Sequence, residues 1–127
     1  MKKLLTYLLS FLGLATACGQ QNFENKDVKG FAELVADSNV VVLDVRTAEE
    51  FGEGHLDRAL NIDVMQGDFL EKAKQILPAD KKIAVYCRSG RRSANACAKL
   101  AAEGYQVVNL KGGILAWTDE NMPTTTR

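Results

Sequence analysis

The sequence predicts an α/β domain with a mainly parallel central sheet and helices on both faces. Three observations predict it. Val40-Val41-Val42-Leu43 and Ile83-Ala84-Val85-Tyr86 are continuous apolar runs, the pattern of strands buried on both sides. Between and after them lie apolar residues at helical spacing. The two patterns alternate along the chain, the order of units whose helical crossovers make successive strands parallel. At 127 residues there is room for one such domain. With 46% hydrophobic and 25% charged residues, the composition is that of a globular protein.

Taken in order, Asp27 is a helix cap, and Val28, Phe31, Leu34 and Val35 form the apolar face behind it. Ser38-Asn39 ends that helix ahead of the first strong strand. Thr47-Ala48-Glu49-Glu50 fits a capping box opening a short helix, which Gly52 and Gly54 end. Residues 59–62 read as a short strand. Phe69, Leu70, Ala73, Ile76 and Leu77 make one helical stripe, stopped by Pro78. After the second strong strand, residues 93–103 are alanine-rich and helical, with Gly104 as the stop. Val107-Val108 is a third strand. Gly112-Gly113 turns the chain into a last helix over residues 114–120.

The charge balance is 16 basic against 16 acidic residues, so no global field points to nucleic acid or to an acidic partner. Three cysteines are too few for a disulfide scaffold and lack the paired spacing of a zinc site, so no metal is expected.

Chemistry concentrates in Val85-Tyr86-Cys87-Arg88-Ser89-Gly90-Arg91-Arg92-Ser93. A strand ends at Cys87 and a helix begins near Ser93. Ligands of open α/β sheets bind where strands run into helix N-termini, because the backbone N–H groups there point outward and the helix dipole favours an anion. Such a setting favours the thiolate of a cysteine. Gly90 lets successive N–H groups face inward, and Arg88, Arg91 and Arg92 surround the mouth with positive charge. The segment therefore reads as a nucleophilic cysteine in an anion cradle. The competing reading is a buried structural cysteine beside a surface arginine cluster.

Cys87-Arg88-Ser89-Gly90-Arg91-Arg92-Ser93 resembles the active-site loop of rhodanese-like domains. So do three further segments, in order: Leu43-Asp44-Val45-Arg46; Glu50 to Leu56 with Ala59 to Ile62; and Gly112-Gly113-Ile114-Leu115-Ala116-Trp117. The resemblance spans about residues 28–120, with Asp57-Arg58 and Arg91 departing from the usual pattern. It implies a sulfurtransferase in which Cys87 is the nucleophile and carries sulfur as a persulfide. The loop from Arg88 to Arg92 would bind the substrate, and Asp44, Arg46 and Ser93 would support it. It also implies a small anionic sulfur donor such as thiosulfate, a thiol or cyanide-like acceptor or a thioredoxin-like protein, and no cofactor. Asp44 and Arg46 are expected to pair and brace the loop, His55 to make a structural hydrogen bond in its turn, and Cys97 and Trp117 to be core. Two alternatives stay open. A persulfide relay without its own turnover would keep the same cysteine. A phosphatase of related fold would need an arginine six positions after the cysteine, where this chain has Ser93.

The start of the chain carries a separate signal. Met1-Lys2-Lys3, a mostly apolar run from Leu4 to Leu14 and Ala15-Thr16-Ala17 have the order of an export signal, and the run is too short to span a bilayer. Leu14-Ala15-Thr16-Ala17-Cys18 resembles the lipobox of bacterial lipoproteins, with Ala15 where leucine is commonest. The expected organisation is a signal peptide over 1–17, a lipidated Cys18 and tether over 18–26, and the domain over 27–127. The expected location is the periplasmic side of a membrane, the outer one since Gly19 follows Cys18, or the soluble periplasm if cleavage is ordinary. Cleavage removes Lys2 and Lys3 and leaves a net charge near −2.

Overall fold

The computed structural model describes residues 22–127. Five strands form one sheet: β1 (Glu24–Lys26), β2 (Val41–Asp44), β3 (Leu60–Asn61), β4 (Ile83–Tyr86) and β5 (Val107–Leu110). Their order is β1-β5-β4-β2-β3 and every pairing is parallel. The helices are α1 (Val28–Val35), α2 (Ala48–Glu53), α3 (Phe69–Ile76), α4 (Arg91–Ala102) and α5 (Gly113–Asp119). The predicted α/β class, parallel sheet and two-sided helix cover all hold.

The alternation of side chains along each strand divides the interior into two cores. On one face Leu43, Ile83, Val85 and Val107 pack with Phe69 and Ala73 of α3 and Ala96, Cys97 and Leu100 of α4. On the other, Val42, Ala84, Tyr86, Val108 and Leu110 pack with Val28 and Phe31 of α1 and Ile114 and Trp117 of α5. Trp117 is core as expected, edge-on to Phe31 with ring centroids 6.2 Å apart. All four residues of β4, the strand that delivers Cys87, are fully buried.

Local chemistry sets the element ends. The Asp27 carboxylate accepts from the Gly30 N–H at 2.9 Å, and Thr47 and Glu50 close the predicted capping box. Arg58, which departs from the family pattern, sits at φ +66 and donates to the Val35 carbonyl at 2.6 Å, closing the end of α1. That places it in the scaffold.

Two readings need correction. The expected tether extends through Lys26, yet Glu24–Lys26 are β1, an edge strand in register with residues 108–110 of β5. The segment is too polar to read as a strand, because an edge strand buries little and takes its place from main-chain pairing. Helix α4 begins at Arg91, two residues before Ser93. Gly90 supplies the turn with φ +100, and α4 has no side-chain cap. The expected signal peptide, Cys18 and the first part of the expected tether lie outside the described residues, among which no helix is long and apolar enough to cross a membrane.

Candidate active site

Cys87 follows β4 directly and begins the four-residue loop, residues 87–90, that leads into α4. Its side chain falls on the α3/α4 side of the sheet, one step on from Val85. Two donors meet its sulfur. The Gly90 N–H lies 3.0 Å from Cys87 Sγ and the Ser93 hydroxyl 3.3 Å away. Ser93 is fully buried, so its hydroxyl is committed to this contact. Donors aimed at sulfur stabilise negative charge on it. Only 1% of Cys87 is exposed, so a reactant must present a slim terminal atom.

The three arginines do different things. Arg88 and Arg91 are exposed, and among the described residues neither side chain has an ion-pair partner. Arg92 is paired with Glu50 through two bonds, Nη1 to Oε1 at 2.8 Å and Nη2 to Oε2 at 2.9 Å. That fork holds Glu50 well below the usual carboxylate range, at about 2. Glu50 escaped the sequence reading as a site residue. Its capping-box position marked it only as a helix-start group, and no spacing rule connects it to a loop 42 residues away. Ser89 is exposed on the rim.

A second glycine turn locks the loop from behind. Gly113 sits at φ +63, and a Cβ there would overlap the Arg88 carbonyl. This lets the Ile114 and Leu115 N–H groups donate to the Cys87 and Arg88 carbonyls, at 2.9 and 3.1 Å. The donors from the start of α5 hold those carbonyls back, while the Gly90 N–H on the other side of the loop meets the Cys87 sulfur.

Asp44 and Arg46 do not touch this constellation. They form a buried pair on the opposite face, Arg46 Nη2 to Asp44 Oδ2 at 2.6 Å, and Arg46 also donates to the Gly54 carbonyl at 2.7 Å. The expected pairing is present, but it braces the turn after α2 rather than the Cys87 loop. The reason is parity: in parallel β2 and β4, Asp44 aligns with Tyr86, and Cys87 is one residue further on, pointing the other way. His55 plays its expected structural part, its ring nitrogens each 2.9 Å from a backbone oxygen, of Phe51 and of Arg127, while the ring stacks on Phe51. Cys97 is fully buried, and burial pushes its thiol up to about 12, so it stays an inert thiol. Among the described residues no cluster could hold a metal ion.

A cysteine at a strand end, with a backbone and a hydroxyl donor on its sulfur, thus stands at the start of the loop that opens α4. The model of the rhodanese-like domain family matches residues 27–120. This chain belongs to the rhodanese family. It is similar to a sulfurtransferase of Allochromatium vinosum, 35% identical over 76% of this chain and 90% of that one. It is likewise similar to thiosulfate sulfurtransferase 18 of Arabidopsis thaliana, 40% identical over 75% of this chain and 79% of that one. Among solved structures, a rhodanese-related protein of Thermoplasma volcanium superposes with a TM-score of 0.73 at 31% identity, covering 83% of this chain and all of the other. The rhodanese match ends at residue 120, and the following segment is tied back through His55, whose backbone bridges Thr125.

Proposed function

We propose that this rhodanese moves sulfane sulfur from thiosulfate, or a donor like it, to a thiophilic acceptor through a persulfide on Cys87. The observation that carries this is the geometry at sulfur: a nearly buried Cys87 Sγ with the Gly90 N–H at 3.0 Å and the Ser93 hydroxyl at 3.3 Å. In the first step the Cys87 thiolate attacks the outer sulfur of the donor. The sulfur–sulfur bond of thiosulfate breaks, its electron pair leaves with sulfite, and Cys87 holds the transferred sulfur with its negative charge. In the second step the acceptor's lone pair attacks that outer sulfur, and the Cys87 thiolate leaves. Cyanide as acceptor gives thiocyanate. Loop N–H groups would stabilise the charge as it moves outward from Sγ, and exposed Arg88 and Arg91 would draw in the dianionic donor.

The phosphatase alternative is disfavoured by two features. Ser93 stands where a phosphate-gripping arginine would be needed, and Arg92 is held by Glu50. A relay role shares the persulfide and differs only in the acceptor. Cys87→Ser is expected to abolish sulfite release from thiosulfate plus cyanide, and Cys97→Ser to keep most of it. Equal loss in both variants would refute the assignment of Cys87 as sole nucleophile.

We also propose export and lipidation at Cys18, motivated by the basic start, short apolar run and Ala15-Thr16-Ala17-Cys18 junction. A diacylglyceryl group supplies two chains, enough for stable anchoring. The native chain should fractionate with membranes and Cys18→Ala should not. A soluble native product with a free Cys18 thiol would overturn lipidation.

A further inference from the structure

Asn109 breaks the pattern of its strand. Val107, Val108 and Leu110 around it are apolar and buried, and asparagine is a poor strand former. Asn109 is itself 3% exposed, and its Oδ1 is buried with no hydrogen-bond partner. An acceptor left in that state is a net cost to the fold. An apolar residue would avoid the cost, so the other end of the amide must account for its presence. Nδ2 donates to Asn25 Oδ1 at 2.9 Å and to the Gly90 carbonyl at 3.4 Å. A carbonyl can only accept, which fixes the amide end that faces it.

The Gly90 carbonyl also accepts from the Ala94 N–H at 3.1 Å. It is thus held from two sides, by helix α4 and by strand β5. The peptide unit from Gly90 to Arg91 is planar and trans, so its C=O and N–H point in opposite directions. Anchoring the carbonyl inward turns the Arg91 N–H out of the open, uncapped end of α4. The preceding N–H, on Gly90 itself, already meets Cys87 Sγ. Without Asn109, only the Ala94 N–H would hold this unit, behind a glycine at φ +100 whose backbone has more freedom than any other residue's.

We propose that Asn109, braced by Asn25 from the edge strand β1, is a positioning residue: it fixes the Gly90–Arg91 peptide so that its N–H faces the sulfur carried by Cys87. The inference rests on the sulfur-transfer reading for its chemistry and on Asn25–Asn109–Gly90 for its geometry. It gives the polar segment ahead of Asp27 a part in the site.

Two near-isosteric variants of the full chain test it. Asn109→Leu and Asn109→Asp both delete the Nδ2 donor, but they act oppositely on stability. Leucine removes the orphaned oxygen, so Tm should hold or rise. Aspartate buries a carboxylate, so Tm should fall. Single-turnover sulfite release from thiosulfate should drop in both, by about tenfold, a fraction of what deleting a whole oxyanion donor costs. KM for thiosulfate should change much less than kcat. The ratio of Cys87 alkylation by iodoacetate to that by iodoacetamide, read peptide by peptide, should fall in both, because an anion no longer finds the N–H in place. Activity and alkylation ratio that follow Tm, intact in Asn109→Leu and lost in Asn109→Asp, would overturn the proposal and leave a structural asparagine. A wild-type chain without sulfur transfer would overturn the functional reading instead, and the alkylation ratio would still decide the positioning claim.

Discussion

Cys87 and Cys97 are both buried cysteines on the same face of one sheet, yet only one has partners for a charged sulfur. The difference lies within ten residues of sequence. Cys87 stands where backbone N–H groups have no helical partner, and Cys97 stands inside α4 where every one does. The same logic governs Glu50. Its ordinary value near 4.5 is lowered to about 2, first by the hydrogen bonds from Arg92. A carboxyl whose value is lower in the folded state adds stability above its unfolded value, and that contribution is lost as pH falls from about 4.5 toward about 2. In Glu50→Gln this part of the acid sensitivity should vanish: Tm should drop less between pH 7 and pH 3 than in the wild type. An unchanged drop would show that the Glu50–Arg92 fork adds nothing to the folded state. At this scale the sequence displayed Cys87, the arginines and Ser93, since their spacing in one loop is local. Glu50 and Asn109 were invisible because each meets this segment from another element, 42 and 19 residues away.

Elements position the site through two glycine turns rather than through side-chain contacts alone. Gly90 lets α4 begin at Arg91 without a side-chain cap, and Gly113 lets the start of α5 press against the Arg88 carbonyl. Gly113→Ala should therefore be damaging twice over. The left-handed backbone costs about 1–2 kcal/mol for any residue with a Cβ, and the overlap with Arg88 must be relieved by moving the loop. A Tm several degrees lower together with loss of most sulfur transfer is expected from unfolding curves and turnover on the same sample. Wild-type activity at wild-type Tm would contradict the account of the turn. Most elements were legible: β4 matches residue for residue, because a strand with apolar residues facing both cores has an unmistakable pattern. β1 was not, since Glu24, Asn25 and Lys26 carry no apolar signal and depend on the exposed edge of β5. The extension of β5 through Asn109 and Leu110 was hidden by an asparagine that serves the loop.

For the whole molecule, the fold converts a parallel sheet into a site at the carboxyl end of its central strand. β4 lies inside the sheet between β2 and β5, so its end is covered by α4 on one face and approached by α5 from the other. With equal numbers of acidic and basic residues, attraction for an anionic donor must come from the loop and not from a global field. Everything then turns on whether sulfur resides on Cys87. Intact-mass analysis after incubation with thiosulfate, with peptide mapping, tests that directly. The account predicts the added mass of one sulfur atom on Cys87, removed by cyanide and absent in Cys87→Ser. No added sulfur, or sulfur carried by Cys97 instead, would contradict it.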